Sequence, residues 1–274
     1  MTKVTIIGIT HIDSGSHDKV IRILEDIKPD AVCLELDQYR LNALLEDERS
    51  EIYSDSKENE SKKQETNNTE DSEESFSYEQ DFAAILEDIG FFESELAHIT
   101  TAEQPGKEML IAYKTAKEMN AEIFLIDRSI HDISRVLEEE VSEEEGAKFQ
   151  QLIDELMYDK KIVAKPLVQD ELPITDPLKN FEELEEEEEI NLNEVIEIFK
   201  DQESLQSILA IFHNSFPQLY SVLLEDRNVF MANQILKIAE KHTNIIVVLG
   251  YGHVQEVAKY LVESNEKLKV EIIN

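Results

Sequence analysis

Tryptophan is absent from this chain, cysteine occurs once, and only seven glycines and six prolines are spread over 274 residues. A single cysteine rules out an internal disulfide and fits a reducing compartment. Cys33 lies inside an apolar run and reads as a small buried hydrophobe. Long hydrophobic runs are missing too: no stretch approaches the ~18–20 apolar residues needed to cross a bilayer. The opening MTKVTIIGITHID has an apolar run too short for a secretory signal, and a His and an Asp follow it. These absences predict a soluble cytoplasmic protein with no membrane segment. Basic residues are scarce as well, 26 Lys+Arg against 61 Asp+Glu, for a formal charge of −35. A field of that sign repels polyanions, so no nucleic-acid partner is expected.

The acid is concentrated. The stretch 46–81 holds 14 acids and 4 bases and has almost no large apolar residue in its middle. It reads as a disordered acidic insertion over 46–80. Two further runs hold seven acids over 182–189 and six over 138–145. All three are read as solvated surface. The rest has an ordinary composition for a folded domain, and one domain over 1–274 is expected.

The two ends of that domain read alike. Val4 to Ile7 forms a β-branched strand, followed by Gly8-Ile9-Thr10-His11 and a Ser/Asp-rich turn with Ser16 as N-cap. Val20, Ile23, Leu24 and Ile27 then recur at helical spacing, and Ala31 to Leu36 is a second buried strand. Near the other end, Asn244 to Leu249 is a strand followed by Gly250-Tyr251-Gly252-His253, a helix, and a strand over Lys269 to Ile273. Both are strand–GxxH–helix–strand units, which require parallel pairing and right-handed crossovers. Apolar strands of this kind predict an α/β fold, a central mainly parallel sheet with helices on both faces. Between the ends, helices are expected over Tyr78 to His98 and Lys107 to Met119, with a strand over Glu122 to Ile126. A mostly helical insertion follows over 140–240. Its amphipathic stretches from Asn193 to Phe212 and from Gln218 to Lys241 suggest a hairpin turning at Ser215-Phe216-Pro217, and leave room for a homodimer.

Ligands of α/β sheets sit outside the carboxyl ends of the strands. His11, Glu35, Asp127, Arg128 and His253 all fall there. Gly8 and Gly250 precede the histidines and are read as structural turn positions, lacking Cβ where the chain must turn sharply and something must approach closely. Two imidazoles with carboxylates form a ligand set for Zn²⁺, Mn²⁺ or Co²⁺, which would supply a hydroxide nucleophile. A carboxylate inside a buried strand must be paired or ligating, so Glu35 has either role, with Asp127-Arg128 as one source of a partner. An arginine there also suits planar recognition of a substrate carboxylate.

Three blocks carry a family resemblance. GITHIDSGSHDKVIRILEDIKPDAVCLELDQYR resembles the opening signature of the TraB/PrgY family, related to the Tiki and GumN proteins. PGKEMLIAYKTAKEMNAEIFLIDRSI is similar to its middle block, and LLEDRNVFMANQILKIAEKHTNIIVVLGYGH to its closing block. The resemblance implies an α/β fold of the erythromycin-esterase/ChaN-like type and a metal-dependent peptidase acting on small peptides. Tiki proteins are described as metalloproteases using two GxxH motifs and a glutamate, and PrgY-type proteins limit a peptide pheromone. By position, His11 and His253 match the motif histidines as metal ligands, and Glu35 matches the glutamate of the LELD block. Glu108 matches the acid of the PGxE block, Arg128 the arginine of the DR pair, and Arg227 that of the EDR block. Either acid fits the ligand or the general-base role. Many relatives are membrane-anchored by C-terminal helices that this sequence does not contain. The rival reading is a non-catalytic protein that sequesters a peptide or small ligand, haem among them by analogy with ChaN-like relatives.

Overall fold

The computed structural model describes residues 1–9, 15–55, 106–154 and 202–273. Five strands form one all-parallel sheet: β1 (Lys3–Ile9), β2 (Ala31–Leu34), β3 (Glu122–Leu125), β4 (Asn244–Gly250) and β5 (Lys269–Ile273). Their spatial order is β3-β2-β4-β1-β5. The helices are α1 (Gly15–Ile27), α2 (Gln38–Asp55), α3 (Lys107–Glu118), α4 (Ile130–Glu140), α5 (Glu143–Asp154), α6 (Gln202–Ser215), α7 (Pro217–Tyr220), α8 (Asp226–Ile238) and α9 (Tyr251–Ser264). A π-helical turn, Ser221–Glu225, joins α7 to α8.

The two strand–helix–strand units interlock rather than sit side by side. The β1–α1–β2 unit steps over β4, and the β4–α9–β5 unit steps over β1 in the opposite direction. Right-handed crossovers running in opposite directions must place their helices on opposite faces. The core divides accordingly. Ile7, Ile9, Val32, Leu34, Ile246 and Val248 pack against α1, α2 and α3, while Val4, Ile6, Cys33, Val247 and Leu249 pack against α8 and α9. Fully buried β1 and β4 at the centre explain why their sequences are continuously apolar instead of alternating. Where the crossovers diverge, between β1 and β4, lies the switch point at which such sheets bind ligands. There Ile9 pairs with Gly250.

The helical insertion between β3 and β4 builds a smaller core of its own. Ile133, Val136, Leu137, Phe149, Phe216, Leu219 and Val222 meet there, with the rings of Phe149 and Phe216 edge-on at 5.3 Å. The predicted hairpin turn is present as Phe216-Pro217, with Pro217 opening α7, but the second arm is broken by the π-turn instead of running unbroken. The acidic run 138–145 ends α4 and starts α5; most of it is exposed, while Glu145 accepts the Leu219 N–H at 2.8 Å.

Other expectations shift at their boundaries. α1 begins at Gly15, so Ser16 lies inside the helix and is not its cap. α2 runs to Asp55, ten residues into the stretch expected to be aperiodic. Leu41, Leu44 and Leu45 anchor that helix on the core, and Glu46, Glu48, Arg49 and Glu51 in its continuation are good helix formers. The rest of that insertion, the helix over Tyr78 to His98 and the acidic run 182–189 lie outside the described residues.

Candidate functional site

Along β2, Ala31 and Cys33 face α8 and α9. The next residue on that side is Glu35, carried just past the strand end. Its Oε1 accepts from Arg227 Nη2 at 2.6 Å and lies 3.1 Å from His253 Nε2. Its Oε2 accepts the Gly250 N–H at 2.8 Å. Because α9 starts at Tyr251, Glu35 occupies the electropositive N-terminus of that helix. His253 is in the same first turn, buried, with Nδ1 2.6 Å from Asn228 Oδ1 on α8. Both ring nitrogens thus face oxygen atoms.

Arg227 extends the cluster toward β3. Its Nη2 donates to Asp127 Oδ2 at 2.7 Å, and its Nη1 to the Leu223 carbonyl in the π-turn at 3.0 Å. Arg40 reaches the same Asp127 oxygen at 2.9 Å and also donates to Asp37 and to the Arg128 carbonyl. Asp37 caps two helices at once, accepting Arg40 N–H in α2 and Ile130 N–H at the start of α4. A continuous, largely covered chain of hydrogen bonds and ion pairs therefore runs Asn228–His253–Glu35–Arg227–Asp127–Arg40–Asp37.

The electrostatics follow from that pairing. Burial pushes the Glu35 carboxyl up, but the charge and hydrogen bond of His253, then Arg227 and the Gly250 N–H, outweigh it and hold Glu35 well below the carboxylate range. Asp127 is likewise lifted by burial and brought down, below its usual value, chiefly by Arg227. Burial disfavours the Arg227 cation, yet Asp127 and Glu35 hold its proton more tightly than usual. Two carboxylates and a guanidinium are mutually fixed in their charged forms.

A model of the TraB/PrgY/gumN family matches residues 1–267. The chain belongs to that family. It is also similar to an uncharacterized protein of Methanocaldococcus jannaschii, 21% identical over 267 residues, covering 93% of this chain and 52% of the relative. The chain thus spans about half the length of that relative. Among the described residues, no helix is long and apolar enough to cross a membrane.

Of the residues singled out in this TraB-family sequence, the structure joins Glu35, Arg227 and His253 directly. His11 lies outside the described residues. Glu108 is buried in the first turn of α3. That helix runs back against the strand that follows it, so its N-terminus falls at the carboxyl edge of the sheet, on the face opposite Glu35. Arg128 is not the partner of Glu35: its guanidinium lies 5.4 Å from the Phe230 ring centroid, and Arg227, 192 residues from Glu35, takes that role. The two glycines are placed differently: Gly8 lies within β1, whereas Gly250 ends β4 and is the N-cap residue of α9. A Cβ on Gly8 would come within 2.7 Å of the Tyr251 ring, so close packing is what excludes a side chain there. At Gly250 the nearest atom would be Glu35 Oε2 at an ordinary 3.5 Å.

Asp37, Arg40 and Asn228 were missed. Asp37 and Arg40 stand inside the LELDQYR block and Asn228 directly follows Arg227. The available signal was the helix-capping position of Asp37 and the i,i+3 spacing to Arg40. Among the described residues, no three His, Cys, Asp or Glu side chains form a group that could hold a metal ion.

Proposed function

We propose that this TraB-family chain is a hydrolase of small peptides, with its reaction centre at the carboxyl ends of β1, β2 and β4. The observation that carries this reading is the buried pair His253 Nε2 and Glu35 Oε1, 3.1 Å apart, beside the Gly250 whose strand partner Ile9 leads toward His11. An imidazole and a carboxylate suit Zn²⁺, Mn²⁺ or Co²⁺. Asn228 Oδ1 on Nδ1 is the orienting contact that ligating histidines use. His253, Glu35 and His11 would hold the ion. Such an ion supplies carbonyl polarisation and lowers the pKa of bound water toward ~7.

The chain's own residues divide the remaining work. Arg227 and the Gly250 N–H fix the Glu35 carboxylate, and Asn228 fixes the His253 ring. Glu35, held ionised by His253 and then Arg227, and Asp127, held ionised chiefly by Arg227, are poor proton acceptors. Glu108, buried at the same carboxyl edge of the sheet but on its other face, is the remaining acid we assign to take the proton of the attacking water. Calorimetric titration with Zn²⁺, Mn²⁺ or Co²⁺, followed by assay on a short-peptide library, is expected to give one metal site and cleavage. Both should vanish in His253→Ala and His11→Ala with circular dichroism unchanged. Cleavage that survives both substitutions overturns the proposal.

A second reading, capture of a peptide or small ligand without turnover, is favoured by one feature: the oxygens of Glu35 and Asp127 already accept hydrogen bonds from within the protein. Peptide binding with neither metal uptake nor cleavage would select it.

A further inference from the structure

The arginines around this site fall into two kinds. Arg40 pairs with Asp37 and Asp127, and Arg227 with Glu35 and Asp127. Farther off, Arg22 and Arg135 have Asp18 and Glu139. Of the five arginines whose side chains are described, Arg128 is the one with no carboxylate on its side chain. That is conspicuous in a chain with 61 acids and 26 bases. The neighbouring Asp127 cannot serve it, since its oxygens take Arg227, Arg40 and the Arg128 backbone N–H.

The Arg128 side chain is nonetheless held in place. Its guanidinium stacks over Phe230, one helical turn beyond Arg227, and its carbonyl is clamped by Arg40. Its Nε is buried with no hydrogen-bond partner, and the residue as a whole is half-buried. A guanidinium stacked on a ring keeps its in-plane donors free, a fork that matches a carboxylate in two parallel hydrogen bonds. Two aromatic side chains are borne on the same chain segments: Tyr39, 61% exposed, lies edge-on to His131 at 5.3 Å.

We propose that Arg128 is the subsite for a free carboxylate on the ligand, so that the substrate class is short peptides recognised by their C-terminal carboxylate. This rests on the peptidase reading for the substrate's identity. The test reads binding, however, and can fail separately.

The experiment follows arginine Nε–Hε signals by ¹⁵N NMR, which is tractable with six arginines in the chain. The Arg128 signal is assigned by its loss in Arg128→Lys. The probes are an N-acetyl tripeptide as free acid, the same peptide as C-terminal amide, and inorganic phosphate. The free acid is expected to move the Arg128 signal and bind at least about tenfold tighter than the amide, with that preference largely lost in Arg128→Lys and Arg128→Gln. Equal response to acid and amide, no response to the acid, or a response to phosphate alone overturns the proposal. If the variants fail to fold, the acid–amide comparison on the wild type still decides. Cleavage without acid preference would reject the subsite and keep the peptidase; acid-selective binding without cleavage would do the reverse.

Discussion

The two edges of the sheet carry the same kinds of side chain and use them differently. At the amino edge, Asp30 accepts the N–H groups of Thr243 and Asn244 at 2.9 and 3.1 Å. His242 lies 3.3 Å from an exposed Glu122. At the carboxyl edge, a histidine and two carboxylates are buried and tied together by Arg227. Water screens the first set, so its contacts are ordinary capping and weak surface pairing. Burial removes that screening from the second, so each charge depends on its neighbours. The contrast shows that residue type alone does not mark a site; the dielectric around it does.

The comparison breaks most severely at Arg227. Arg227→Met would leave Glu35 and Asp127 buried without their shared cation and is expected to cost about 3–5 kcal/mol in urea unfolding. Deleting one residue from Ser221–Glu225 should restore regular α-helical hydrogen bonding and rotate the chain leading into α8. The Arg227 contacts would be lost, with a drop in stability approaching that of Arg227→Met and with loss of any metal uptake. Asn228→Leu removes the acceptor on His253 Nδ1 and is expected to cost about 1–3 kcal/mol, read by thermal unfolding.

Acid sharpens the same contrast. Glu35 and Asp127 are held below their ordinary values, so the stability they contribute is complete above about pH 4 and is lost as pH falls through their folded values. Urea midpoints measured from pH 5 to pH 2 should fall steeply, and less steeply when Glu35 is replaced by Gln. Asp30 is also lowered, burial raising it and the Thr243 and Asn244 N–H groups more than offsetting that. Its loss should matter least: Asp30→Asn is expected to cost about 1 kcal/mol, the scale of a helix cap, with little change in the acid slope.

Much of this architecture could be read in one dimension. Continuous apolar runs at Val4–Ile7 and Asn244–Leu249 announced central parallel strands, because a strand covered on both faces has no polar side to alternate with. The second GxxH motif marked His253 at the carboxyl edge, and Glu35 declared itself as an acid closing an apolar run. These signals are local and survive without coordinates. Pairing partners are not local. That β4 inserts between β1 and β2 follows from the hand of two crossovers running in opposite directions, which no residue pattern encodes.

The two arginines show the same limit. Arg128 lies next to Asp127 in sequence, yet its side chain stacks on Phe230, while Arg227, 100 residues from Asp127, neutralises both buried acids. The amino-acid order alone determined which groups would need a partner, since a buried charge without one is too costly to persist. Which partner answered was decided only in three dimensions, where the π-turn aims Arg227 between the ends of β2 and β3.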